Sequence, residues 1–220
     1  MMSPEDASRH AEEVCRLAPV IPVLVIDDAA DARPLAEALV TGGLPALEVT
    51  LRTPAALDAI RAMSRVEGGV VGAGTLLTRD DVFRAKDAGA LFGVSPGATD
   101  RLLDAAEEAE LPMLPGAATA TEAMRLFERG YRVQKFFPAE ASGGAAALKA
   151  IGAPLPGISF CPTGGIGLKN VDAYLSLKTV LCVGGSWVAP ADAVADGDWD
   201  RVHALAEEAS MLRRADEREG

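Results

Sequence analysis

One unit recurs eight times along this chain: a short apolar run, a polar or glycine-bearing turn, then an amphipathic stretch rich in alanine and leucine. The apolar runs are 21–26, 46–51, 70–75, 91–95, 113–115, 133–137, 158–162 and 180–183. The helical stretches that follow them are 31–40, 54–66, 79–88, 100–108, 121–129, 144–151, 168–175 and 199–212. Runs this continuous lack the in–out alternation of a half-solvated strand, so they imply a parallel sheet covered by helices. Eight such units fit a closed (β/α)8 TIM barrel, class α/β. The alternative is an open doubly wound sheet, but no dinucleotide fingerprint opens the chain. A further helix, 3–17, precedes the first run and starts with proline after serine, a normal N-terminal signal. Gly42-Gly43, Gly89 and Gly130 stand where C-terminal caps belong. With 220 residues, 49% of them hydrophobic, one barrel domain over 1–220 is the expected organisation. Only the charged tail after Leu212 reads as loosely held.

Composition removes several classes of function. The net charge of −11 argues against a nucleic acid partner, because phosphate backbones need a basic face. No apolar run is long enough to cross a bilayer and the start does not resemble a signal peptide, so no membrane partner and a cytoplasmic location are expected. Cys15, Cys161 and Cys182 have no metal-like spacing, and the latter two fall in apolar runs as plain buried thiols. His10 and His203 lie in polar, terminal helical segments, so neither a zinc centre nor any other metal or cofactor is expected.

Chemistry in such a barrel belongs at the C-terminal ends of the strands. Of the five lysines, Lys135 alone sits inside an apolar run, Val133-Gln134-Lys135-Phe136-Phe137. A buried ammonium is costly and tends to give up its proton, and a neutral amine can form a Schiff base with a carbonyl. A strand-end salt bridge is the plainer reading. Phe137, two residues on, shares a face with Lys135 and can keep it dry. The second run ends Glu48-Val49-Thr50-Leu51-Arg52, with Glu48 and Arg52 on one face. They form either an internal ion pair or a proton carrier beside a carboxylate clamp. The third ends Gly72-Ala73-Gly74-Thr75, which allows close backbone approach and supplies a hydroxyl. Ser95-Pro96-Gly97 and Pro115-Gly116 read as rigid turns that shape a pocket wall. Thr163-Gly164-Gly165 and Gly184-Gly185-Ser186 follow the last two runs, where barrels commonly hold a phosphate on bare N–H groups. A non-catalytic phosphate-ligand barrel suits these loops equally well. Trp187 and Phe160 read as core.

Six runs together carry a family resemblance: 47–53, Gly72-Ala73-Gly74-Thr75, Ser95-Pro96-Gly97, Lys135-Phe136-Phe137-Pro138-Ala139-Glu140, 160–165 and Gly184-Gly185-Ser186-Trp187. They resemble those of the bacterial 2-keto-3-deoxy-6-phosphogluconate aldolases, a family that also includes 4-hydroxy-2-oxoglutarate aldolases. The similarity extends from about Pro19 to the last helix. It implies a metal-independent class I aldolase, a homotrimer, and a phosphorylated 2-keto acid as substrate. By the same resemblance Lys135 forms the Schiff base, Glu48 is the general acid and base, and Arg52 binds the pyruvate carboxylate. Thr75 and Phe137 line the pyruvyl end, Pro96 is counted with the substrate-binding residues, and Thr163 meets the substrate hydroxyls. Gly164, Gly165 and Ser186 hold the phosphate, in a loop shaped by Gly184 and Gly185.

Overall fold

A computed structural model describes residues 1–218. Nine short strands alternate with helices: β1 Val20–Leu24, β2 Ala46–Thr50, β3 Val70–Gly74, β4 Phe92–Val94, β5 Met113–Leu114, β6 Gly116–Ala117, β7 Val133–Phe136, β8 Ser159–Pro162 and β9 Val183–Gly185. Every strand pair is parallel. Six strands form one sheet in the order β5-β4-β3-β2-β1-β9, and three form a second in the order β6-β7-β8. Single bridges, Phe160 with Val180 and Thr163 with Gly184, connect the β8 and β9 segments.

Two expected strands differ in the structure. The fifth apolar run becomes β5 and β6, parted at Pro115, which has no N–H to give to a ladder. Its carbonyl still accepts from the Lys135 N–H at 2.8 Å. The eighth strand is Val183–Gly185 rather than 180–183. Its place is set by pairing with β1, where Ile21 faces Gly184 and Pro22 faces Gly185. Two glycines carry no side-chain pattern, so the apolar run marks this strand too early.

The helices begin where the polar side chains can satisfy their free N–H groups. Helix Ala120–Arg129 has a reciprocal capping box: the Thr119 hydroxyl accepts from the Glu122 N–H, and the Glu122 carboxylate accepts from the N–H groups of Ala118 and Thr119, both at 2.9 Å. These bonds, the one from Ala118 foremost, hold the Glu122 carboxyl below its ordinary pKa. Replacing Glu122 by alanine is expected to lower stability by about 1 kcal/mol, read from urea denaturation near neutral pH. The difference from wild type should shrink as the pH falls through the depressed carboxyl pKa, because a lowered pKa adds stability only while the group is ionised.

The core divides in two. The larger cluster packs helices against strands. The smaller one gathers Ile21, Ala46, Phe92, Val94 and Leu114 from the first sheet with Val133 and Cys161 from the second. Helix Pro4–Arg16 adds Ala11 and Cys15 to this inner cluster. The helix is fixed there by Ser8, whose hydroxyl accepts from the N–H groups of Arg132 (2.8 Å) and Val133 (3.0 Å) at the start of β7. All three cysteines are buried and unpaired. The tail after Leu212 is less loose than the sequence suggests: it forms a short helix, Ala215–Arg218, and Arg214 donates to the carbonyl of Arg16 (3.2 Å). Residues 219–220 of that tail lie outside the described residues. Among the described residues, no helix is long and apolar enough to cross a membrane.

Candidate active site

Lys135 lies on β7 and Glu48 on β2, in different sheets, 87 positions apart in sequence. The Lys135 Nζ donates to Glu48 Oε1 at 3.1 Å and lies 3.4 Å from Oε2. Lys135 is 5% exposed and Glu48 3% exposed. A buried ion pair of this kind gains little net stability, because desolvating both charges offsets their attraction. Its retention between apolar strands therefore points to chemistry.

The local backbone is shaped to admit these two groups. A Cβ on Gly74 would stand 2.3 Å from Glu48 Oε1, so only glycine on β3 leaves room for the carboxylate. Thr75 follows with φ of 62°, a conformation that a β-branched residue rarely adopts. On the other side the Phe137 ring centre is 5.4 Å from Lys135 Nζ, close enough for a cation–π contact.

The Phe137 ring also lines a cavity of about 320 Å³. Its other walls are Val23, Val25, Arg52, Thr163, Gly164, Gly165, Ile166, Gly184, Gly185 and Ser186. The sequence reading does not select Val23 or Val25, although their period-two spacing at the end of the first apolar run is a usable signal. Arg52 is exposed, and its guanidinium has no protein partner among the described residues. The Glu48–Arg52 ion pair considered from sequence is thus replaced by Glu48–Lys135. Thr163 Oγ1 is buried with no hydrogen-bond partner among the described residues. Pro96 lies beyond the end of β4 and is not among the cavity-lining residues; a Cβ on Gly116 would stand 2.3 Å from its carbonyl carbon.

The Thr163–Gly165 loop has its carbonyls tied to protein donors. The carbonyl of Thr163 accepts from the Ala139 N–H (2.8 Å), that of Gly164 from the Glu140 N–H (3.0 Å), and that of Gly165 from Asn170 Nδ2 (3.1 Å). Across a trans peptide the N–H points opposite the carbonyl. The N–H groups of Gly164, Gly165 and Ile166 therefore face away from these bonds, and none has a protein acceptor among the described residues. The turn requires φ of 106° at Gly164 and 78° at Gly165. Successive free N–H groups in such a turn make an anion nest. Gly184 closes the other side, so near Thr163 that a Cβ on it would be 2.3 Å from Oγ1.

A family model for KDPG and KHG aldolases matches residues 11–205. The chain belongs to this family. Across 90% of its length it is 52% identical to the 2-dehydro-3-deoxy-phosphogluconate aldolase of Pseudoalteromonas atlantica, covering 93% of that protein. Among solved structures, it resembles the 2-keto-3-deoxy-6-phosphogluconate aldolase of Zymomonas mobilis, determined with 3-phosphoglycerate. The TM-score there is 0.90 at 50% identity, over 94% of this chain and 98% of that one. It also resembles the KDPG aldolase of Legionella pneumophila, determined with pyruvate captured as a covalent carbinolamine. That match has a TM-score of 0.87 at 45% identity, over 90% of this chain and 97% of that one. The family membership agrees with the resemblance carried by the six sequence runs, and it makes the chain an aldolase, a carbon–carbon lyase.

Proposed function

We propose that this aldolase cleaves 2-keto-3-deoxy-6-phosphogluconate reversibly to pyruvate and glyceraldehyde 3-phosphate through a Schiff base on Lys135. The observation that carries the reading is the buried Lys135–Glu48 contact, one aromatic ring away from a cavity whose wall includes the Gly164–Gly165 turn. Passing a proton from Lys135 to Glu48 leaves a neutral amine, which attacks the C2 carbonyl. Glu48 protonates the carbinolamine oxygen, water leaves and an iminium forms. Glu48, or a water it holds, then takes the C4 hydroxyl proton. The C3–C4 bond breaks, and its electron pair enters the iminium to give the enamine. Protonation at C3 and hydrolysis release pyruvate. Arg52 holds the C1 carboxylate in a two-pronged grip, Thr75 and Phe137 bound the pyruvyl end, Pro96 belongs to the substrate-binding set as a wall-shaping turn, and Thr163 meets the substrate hydroxyls. Gly164, Gly165 and Ser186 bind the phosphate, with Gly184 and Gly185 shaping the loop.

In this reading residues 1–220 form one domain and the two sheets close into a single eight-stranded barrel. The bridges between the β8 and β9 segments, and the inner cluster drawn from both sheets, support that closure. The chain works in the cytoplasm as a homotrimer, and light scattering tests the assembly. Three buried thiols with no disulfide suit a reducing compartment.

Coupled detection of pyruvate from the phosphorylated substrate tests the function. Saturable release is expected; phosphosugar binding without turnover would instead indicate a sensor. Comparing kcat/KM for the gluconate and galactonate epimers and for 4-hydroxy-2-oxoglutarate fixes the preferred substrate. Arg52→Lys keeps a charge but loses the fork, and is expected to raise KM for each by about tenfold. An unchanged KM would remove Arg52 from the carboxylate site.

A further inference from the structure

The N–H groups of the nest face away from the bonded carbonyls only because something holds those carbonyls, and the partners that do so are not among the cavity-lining residues. Two of them are the N–H groups of Ala139 and Glu140, just past the lysine strand. The Glu140 side chain adds a further contact: a Cβ on Gly165 would stand 2.8 Å from both Glu140 Cβ and Cγ, so this stem lies directly on the loop. The Glu140 carboxylate in turn accepts a hydrogen bond from the hydroxyl of Tyr174. Tyr174 sits in helix Val171–Leu175 and is 1% exposed. Asn170, just before that helix, donates Nδ2 to the Gly165 carbonyl (3.1 Å) while its Oδ1 accepts from the Gly167 N–H (2.9 Å). This short helix and the residue before it thus grip the loop twice, directly through Asn170 and by way of Glu140 through Tyr174.

A free carboxylate beside a phosphate site should repel the phosphate. Glu140 is spared that role if its charge is engaged by Tyr174, and burial, followed by the Glu140 carboxylate, pushes the Tyr174 hydroxyl above its ordinary pKa so that it remains a donor.

We infer that Glu140, Tyr174 and Asn170 are positioning residues that brace the Gly164–Gly165 loop and set how tightly the site holds the phosphate end of its ligand. The inference rests on the phosphorylated-substrate reading above, and it separates two opposite signs for one residue. If Glu140 were merely a nearby negative charge, its removal would tighten phosphate binding. As part of a brace, its removal loosens it.

The test uses two independent readouts on the full chain. Calorimetric titration with glycerol 3-phosphate reads the nest without any turnover. Tyr174→Phe, Glu140→Ala and Asn170→Ala, the last at a half-buried position, are each expected to weaken Kd by about tenfold, the effect of one lost charge-assisted or well-aligned hydrogen bond. Glu140→Gln, which still accepts from Tyr174, should stay near wild type. In turnover, the ratio of kcat/KM for the phosphorylated substrate to that for 4-hydroxy-2-oxoglutarate should fall by the same factor in the three weakened variants. A general loss of structure would lower both and leave the ratio in place. Unchanged Kd in Tyr174→Phe and Asn170→Ala, or tighter binding in Glu140→Ala, overturns the brace. Wild-type protein that binds glycerol 3-phosphate but cleaves neither keto acid overturns the aldolase reading and leaves the brace to be judged on its Kd values.

Discussion

Lys135→Ala is expected to abolish pyruvate release, by roughly 10⁴–10⁶-fold, the range met when a covalent nucleophile is removed. The reason is the absence of a substitute. Lys86, Lys149, Lys169 and Lys178 are exposed, whereas Lys135 is buried against Phe137, the ring that lines the cavity. Without the amine no iminium forms, and the C3–C4 bond has nowhere to send its electrons. Incubating the wild type with pyruvate and borohydride should fix one pyruvyl group, and peptide mass spectrometry should locate it at Lys135. The alanine variant should take up none. Because Glu48 is 3% exposed, removing its partner leaves a buried carboxylate unpaired, at a cost of about 3–5 kcal/mol. A lower melting temperature is therefore expected as well, and the variant must be assayed well below it. Cleavage retained by a folded Lys135→Ala protein, or an adduct on another lysine, would end the Schiff-base reading.

The alternation of apolar runs and helical stretches was enough to read a parallel α/β fold, because buried parallel strands leave continuous apolar runs and amphipathic helices leave a 3.6-residue period. The helix expected at 121–129 begins at Ala120, where the Thr119–Glu122 capping box starts it, a signal that the sequence reading does not use. Strand ends were harder. The fifth run ends at Pro115, yet strand pairing resumes beyond it at Gly116–Ala117, and Gly184–Gly185 extend another strand where there is no side chain to read. Both depend on which neighbour supplies the ladder partner, and a linear pattern carries no pairing information.

For the site, the distinction is between groups that are costly where they stand and groups that are ordinary until paired. Lys135 and Glu48 stood out because each interrupts an apolar run with a charge. That they meet, rather than Glu48 meeting Arg52, is a fact of the fold: Lys135 and Glu48 come from different sheets. The anion nest was half legible. Its glycines mark a turn, but the direction of its N–H groups follows from carbonyls tied to residues 139–140 and to Asn170. Glu140 enters the sequence reading only as the end of the lysine-bearing run and Tyr174 not at all, and only their contact gives them a part to play.

Glu48→Gln should separate bond formation from proton traffic. The amide retains the shape of the carboxylate and an oxygen to accept from Lys135 Nζ, now 3.1 Å away, so the strand packing and the Gly74 contact persist. What it loses is the capacity to receive and return a proton. Each turnover calls on that capacity at carbinolamine dehydration, at the C4 hydroxyl and at the enamine, so kcat is expected to fall by about 10²–10⁴-fold. Trapping should report differently: with pyruvate and borohydride the variant still reaches a full adduct at Lys135, only more slowly. Rapid-quench measurement of adduct formation beside steady-state pyruvate release gives both numbers from one preparation. If Glu48 were only the counter-ion that keeps Lys135 in place, kcat and the trapping rate would fall together and by a similar factor. If it carries the protons, release suffers more than trapping, since cleavage and enamine protonation lie beyond the step that borohydride intercepts.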